Sequence, residues 1–221
     1  MRSGETWQPA VVLLYLTGSS CSGKTTLALN VATRLTRIAV HDVDEPGAPH
    51  AAPTEYWVCR ALYYQERGID MLLVGQAPLG EVLAAPSATS LDGIAMCLID
   101  VADEVRRDRL AQRDPGKWDL PAIDDFVEWA RWHRGHARNP RYRPEVLLDG
   151  ALGAAWERWT GWRADDPRWS TQVLDTTGQA VEYSAGHVEA WIAAQREAQR
   201  TGTLPLRRGW DSAESPRVGE G

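Results

Sequence analysis

Apolar and polar positions fall in blocks along the chain. Residues 10–17 form one unbroken apolar run, the pattern of a strand buried on both faces rather than one with a wet side. The stretch from Lys24 that follows spaces Leu27, Val31 and Leu35 as a helix does. Further runs predict strands over 38–43, 69–74 and 93–100 and a short one at Val173 and Leu174. Helices are expected over 54–67, capped by Thr54 and ended at Gly68, over 103–113, and around 187–200. "APLGEVL", residues 77–83, reads as a loop. Strands that alternate with helices and have no tight hairpins between them imply right-handed crossovers and a parallel sheet covered on both faces. The organisation expected is a single domain over residues 1–200, with a helical insertion at about 114–169 and a flexible C-terminal tail at 201–221 that is poor in apolar residues.

Composition removes several function classes. At 221 residues, with 43% apolar and 24% charged residues, the chain is an ordinary globular protein. A formal charge of −6 argues against nucleic acid as the main partner. Cys21, Cys59 and Cys97 are odd in number and form no CxxC pair, which suits reduced thiols in the cytoplasm. No leader pattern and no membrane-length apolar run stands in the sequence, so no membrane is expected as a partner. Eleven tryptophans stand against one phenylalanine, with Trp156, Trp159 and Trp162 at three-residue spacing. Most suit core packing, and a minority could line a pocket.

The strongest chemical signal is "GSSCSGKTT": Gly18, Ser19, Ser20, Cys21, Ser22, Gly23, Lys24, Thr25 and Thr26. It fits G-x-x-x-x-G-K-[ST] between a strand and an amphipathic helix, where backbone N–H groups and a helix N-terminus wrap a phosphate. Lys24 can reach the β- and γ-phosphates, and the Thr25 hydroxyl can ligate Mg²⁺. A nucleoside triphosphate site is therefore expected. Cys21 in the loop is a small residue that fits. As a thiol beside a lysine it could also be oxidisable.

Together with an acidic end to the second strand, arginines after the fourth and "LDTTG" (Leu174 to Gly178) at the fifth, this motif resembles the P-loop small-molecule kinases. Shikimate, gluconate and adenylate kinases are of this type, and so are chloramphenicol phosphotransferases, the nearest in character. The resemblance spans roughly residues 11–200. It implies an α/β three-layer sandwich with a five-stranded parallel sheet of order 2-3-1-4-5 and a helical lid. It also implies transfer of the γ-phosphoryl of ATP or GTP, with Mg²⁺, to a hydroxyl of a small molecule. In the chloramphenicol enzymes the base follows a valine, as Asp44 follows Val43. Asp42, two residues earlier and on the same face, could hold Mg²⁺ or exchange roles with Asp44. His41 is a weaker substrate candidate.

Gly75 and Gln76 stand where many P-loop proteins carry an acidic residue, which weakens a motor-type ATPase reading. Gln76 could bond a water or the substrate. Arg109 and Arg113 match an R-x-x-x-R pair that meets the base and starts the lid. With Arg106 they equally suit a surface helix salt-bridged to Asp103, Glu104 and Asp108. Arg131, Arg134 and Arg138 form a basic stripe in the lid position, with Arg134 as the expected catalytic arginine. Asp175 and Thr176 are expected beside the base. The tryptophan-rich insertion suggests an acceptor with aromatic or bulky apolar parts, such as an antibiotic or other natural product. A nucleotide-dependent switch and a nucleic-acid 5′-kinase remain as alternatives. A monomer and a homodimer are both compatible with the sequence.

Overall fold

The computed structural model describes residues 11–48, 53–113, 115–148 and 153–212. Five parallel strands form one sheet in the order β2-β3-β1-β4-β5: β1 Leu13–Thr17, β2 Ile38–Asp42, β3 Asp70–Val74, β4 Ile94–Asp100 and β5 Thr171–Asp175. The helices are α1 Lys24–Ala32, α2 Thr54–Gln65, α3 Leu79–Ala84, α4 Asp103–Arg113, α5 Leu120–Arg138, α6 Glu145–Leu148, α7 Glu157–Thr160 and α8 Val181–Arg200. The expected sheet and strand order are present. Residue 10, where the first apolar run begins, and Asp114, where the insertion was set to begin, lie outside the described residues.

Strand alternation explains the unbroken apolar runs. Leu13 and Tyr15 of β1, with Met71, Leu73, Ile94 and Met96, face one core that includes α2, α3 and the insertion. Leu14 and Leu16, with Leu72, Val74, Cys97 and Ile99, face a second core built on Leu27 and Val31 of α1 and Val188 and Ile192 of α8. The outer strands β2 and β5 are less covered.

Two elements differ from expectation. Residues 79–84 are helical, not a loop. Pro78 precedes the first turn, and Leu79, Val82 and Leu83 are buried. The tail does not run free from Thr201. Leu204, Leu206 and Trp210 are buried, and Gly93 of the β4 entry bridges Arg207; residues 213–221 lie outside the described set. The insertion contributes to the first core. Trp132, Trp159, Trp162 and Trp169 belong to the first core, with Trp159 completely buried and Trp132 stacked on His136 at a ring separation of 4.8 Å. These four tryptophans of the insertion fill the interior, while Trp118, Trp129 and Trp156 are only partly buried, which removes much of the reason to expect a bulky aromatic acceptor. No helix among the described residues is long and apolar enough to cross a membrane.

Candidate active site

The loop between β1 and α1 curls around a cavity of about 730 Å³ at the C-terminal edge of the sheet. Gly18 opens it at φ 148°, where a Cβ would collide with the carbonyl oxygen of Ile99. Cys21 carries the left-handed turn at φ 61°. Gly23 caps α1 without a side-chain acceptor, so the first N–H groups of the helix have no capping partner. Ser20, Cys21, Ser22, Gly23, Lys24, Thr25 and Thr26 all line the cavity. Ser19 turns away, its hydroxyl donating to the Phe126 carbonyl of α5. Burial pushes the Lys24 ammonium down to about 8 against the pull of Asp42 and Asp44.

The sheet brings the expected acidic pair to this lysine. The Thr25 hydroxyl donates to Asp42 Oδ2 at 2.9 Å, and the Asp44 N–H donates to Asp42 Oδ1 at 3.0 Å. Asp42 is level with Val74, so the strand neighbour Gly75 needs no carboxylate there. Asp44 is exposed and lines the cavity, as do Gln76, Arg109, Arg113 and Thr176. Two oxygens so placed, on a hydroxyl and a carboxylate, suit Mg²⁺, which favours one or two protein ligands completed by phosphate oxygens and water. No group of three or more His, Cys, Asp or Glu side chains among the described residues forms a metal cage of its own.

Three expectations need correction. His41 does not line the cavity: its ring is engaged on both sides, by Glu45 at 2.9 Å and by the Tyr64 hydroxyl at 2.8 Å. The basic stripe on α5 does not reach the cavity either. Arg134 pairs with Asp100 at 3.0 Å and Asp103 at 2.7 Å, and Arg131 pairs with Asp103 and Glu128. Arg138 is exposed near the far end of α5. Packing of α5 against α4 places those carboxylates in front of the arginines. Burial opposes the Asp103 charge, but Arg134 and Arg131 hold its carboxyl below the usual range. Asp175 also stays outside, accepting bonds from the backbone N–H and hydroxyl of Thr177. Thr176 braces the loop itself through its hydroxyl, at 3.3 Å from the Ser22 carbonyl.

Arg106 is the residue whose role the spacing conceals. It is fully buried and pairs with Asp100 at 2.7 Å, while its other terminal nitrogen donates to the Ser20 carbonyl at 2.6 Å. Arg109 similarly donates to the Cys21 carbonyl at 3.2 Å. Two arginines of α4 thus hold the phosphate loop by its carbonyls. Gln112, Gln179, Val181 and Ser184 also line the cavity. Only Gln112, one turn from Arg109, carried any signal in the sequence.

A second, smaller cavity of about 240 Å³ adjoins the first, and Val43 and Gln76 border both. Gly75 makes room here, since a Cβ would collide with the Tyr15 hydroxyl oxygen and lie 2.8 Å from Val43.

The sequence matches no protein-family model and no curated protein. Solved structures do match. A sugar kinase from Janibacter sp. HTCC2649, in its unliganded form, superposes with a TM-score of 0.53 at 15% identity, covering 86% of this chain and 98% of that one. Shikimate kinase from Bacteroides thetaiotaomicron gives 0.38 at 15% identity, over 83% of this chain and 98% of the other. Thymidylate kinase from Candida albicans gives 0.41 at 9% identity, over 87% and 94%. With the strand order 2-3-1-4-5 and the first of these superpositions, the chain has the P-loop kinase-like α/β fold.

Proposed function

We propose that the protein is a phosphotransferase that moves the γ-phosphoryl of ATP or GTP to a hydroxyl of a small molecule. The observation that carries this reading is the Thr25–Asp42 contact beside an exposed Asp44, which lines the phosphate cavity next in sequence to Val43, a residue that borders both cavities. An ATPase needs no second cavity. The named activity of the similar sugar kinase structure agrees with this class.

In this scheme the N–H groups of residues 20–26 and the Lys24 ammonium hold the β- and γ-phosphates. Arg109 and Arg113 line the outer part of the cavity, beside Thr176, where the nucleoside lies. Thr25 and Asp42 would hold Mg²⁺, which supplies charge neutralisation on the phosphates. The acceptor hydroxyl oxygen bonds to the γ-phosphorus as the bond to the bridging oxygen breaks. Its proton passes to Asp44, and the nucleoside diphosphate leaves. Such a transition state is loose, so positioning and charge do most of the catalysis and Asp44 takes its proton late. Drug-sized ligands usually occupy roughly 300–1,000 Å³, so a cavity of about 240 Å³ favours an acceptor smaller than most antibiotics.

The test is a mass-spectrometric screen of hydroxylated compounds with ATP and with GTP, read as a gain of one phosphoryl group that Lys24→Ala abolishes. Robust nucleotide hydrolysis without any acceptor, and no phosphorylated product from any compound, would overturn the reading in favour of an ATPase.

A further inference from the structure

If the phosphotransferase reading holds, Asp42 and Asp44 must keep a fixed aim, yet both stand where β2 gives way to a turn at the edge of the sheet. The Val43 N–H donates inward to the Val74 carbonyl at 2.9 Å, so the Asp42 N–H points to the open edge. An outward N–H on an edge strand has no ladder partner. Glu45 supplies one. Its own N–H donates to the Asp42 carbonyl at 2.9 Å and closes the turn. Its carboxylate folds back to accept from the Asp42 N–H at 3.4 Å and from His41 Nδ1 at 2.9 Å. A carboxylate only accepts, so Nδ1 carries a proton toward it. On the other side of the ring, Nε2 meets the Tyr64 hydroxyl at 2.8 Å, and that hydroxyl accepts from Arg60 at 3.4 Å.

Side chains alternate across a strand, so His41 and Asp42 leave β2 on opposite faces. Asp42 is tied to α1 through Thr25. His41 is tied to α2, where its ring lies 6.0 Å from that of Trp57 and 5.4 Å from that of Tyr64. The turn that bears Asp44 is thus held from both faces of the sheet. Neither His41 nor Glu45 lines either cavity, so they act on a substrate only through their neighbours. Packing alone would be served by an apolar side chain at this position, as it is by Leu73, the register partner of His41 on β3. A ring bonded at both nitrogens adds direction to that packing.

We infer that His41 and Glu45 are positioning residues, which lock the turn and so set the aim of Asp42 toward the metal and of Asp44 toward the acceptor.

The experiment measures binding of the β,γ-methylene analogues of ATP and GTP to the full chain by calorimetry, with and without Mg²⁺. It compares the wild type with Glu45→Ala, Glu45→Gln and His41→Phe. Mg²⁺ should tighten the analogue that the wild type binds. Glu45→Ala and His41→Phe are expected to raise the Mg²⁺ concentration at half-saturation by about tenfold, with metal-free nucleotide affinity within about twofold of wild type. Glu45→Gln, whose amide oxygen can still accept from Nδ1, should recover most of that loss. Urea midpoints report the folding of each variant. His41→Phe keeps a ring against Trp57 and Tyr64, and carries the same expectation if Glu45→Ala does not fold. Lowered urea midpoints with an unchanged Mg²⁺ requirement overturn the inference. So does a wild type that binds both analogues equally well with and without Mg²⁺.

Phosphoryl transfer separates this inference from the reading beneath it. Transfer by the wild type, with an unchanged Mg²⁺ requirement in Glu45→Ala and His41→Phe, would keep the kinase and remove the positioning role. A raised Mg²⁺ requirement without transfer to any compound would keep the positioning of Asp42 and overturn the phosphotransferase.

Discussion

The Thr25 hydroxyl and the Asp42 carboxylate, 17 residues apart, meet at 2.9 Å and join the start of α1 to the end of β2. In the proposed reaction this contact sets Asp42 beside the hydroxyl that would hold the metal and leaves Asp44 to face the acceptor. The two carboxylates should fail differently when neutralised. Asp44→Asn is expected to lower kcat by about 100-fold while nucleotide affinity changes less than about twofold. Asp42→Asn should instead raise the Mg²⁺ concentration needed for half-maximal activity. Paired titrations of nucleotide and metal check this, and the reverse pattern would exchange the two roles.

Arg106 is expected to matter for stability before catalysis. Arg106→Met leaves the Ser20 carbonyl without its donor and removes one of the two arginines that pair with Asp100. Breaking a buried pair from one side costs about 3–5 kcal/mol, although Arg134 still partners Asp100, so the low end is expected. Chemical denaturation measures it, and a loss below about 1 kcal/mol would place the loop's support elsewhere.

Arg134→Ala serves as the contrast. If its guanidinium works only in ion pairs with Asp100 and Asp103, folded variant enzyme keeps its kcat to within about threefold and loses about 1 kcal/mol of stability. A kcat loss of 100-fold or more with unchanged stability would mean that α5 swings Arg134 onto the phosphates during turnover.

Gly75→Ala tests the border between the cavities. Its Cβ would press on Tyr15 and Val43, a form of overpacking that costs about 1–3 kcal/mol. The expected signature is a raised KM for the acceptor with an almost unchanged nucleotide affinity. Equal effects on both ligands would argue against a separate acceptor space.

Acid should loosen the aromatic core. Burial pushes His133 down to about 3, with His136 and Lys24 adding to the effect, and pushes His136 down to about 4 against its bond to the Tyr142 carbonyl. Both therefore stay neutral when folded but take up protons when unfolded, below the ordinary histidine value of 6.5. Their contribution is complete above that pH and is lost as pH falls toward 4 and then 3, at up to about 1.4 kcal/mol per pH unit for each histidine. Urea midpoints at pH 7.5 and pH 5 should differ accordingly, and His136→Gln should flatten the slope.

The phosphate loop, the five strands and the Thr25–Asp42 meeting were legible because each depends on local spacing or on strand order. The roles of Arg131, Arg134 and Arg138 were not. Helical spacing shows that they share a face, but only tertiary packing brings Asp100 and Asp103 to that face. Helix α3 is too short for a periodic signal, and Leu204, Leu206 and Trp210 are too few to mark a docked tail in a polar stretch. Gln179, Val181 and Ser184 have no chemistry that points to a nucleotide. Glu81 lay in a segment read as loop, so its pairing with Thr54 could not be foreseen.

The stacking of Trp129 on Trp132 has a consequence for how this protein can change. Trp129 borders the second cavity, and Trp132 is part of the core that holds α5 to the sheet. Selection on acceptor choice through α5 would therefore draw on the same side chains that keep the domain folded. New specificities are more accessible through Thr54 and Gln76, which border the cavity and belong to neither buried core. Variation in substrate should therefore collect on the wall opposite α5.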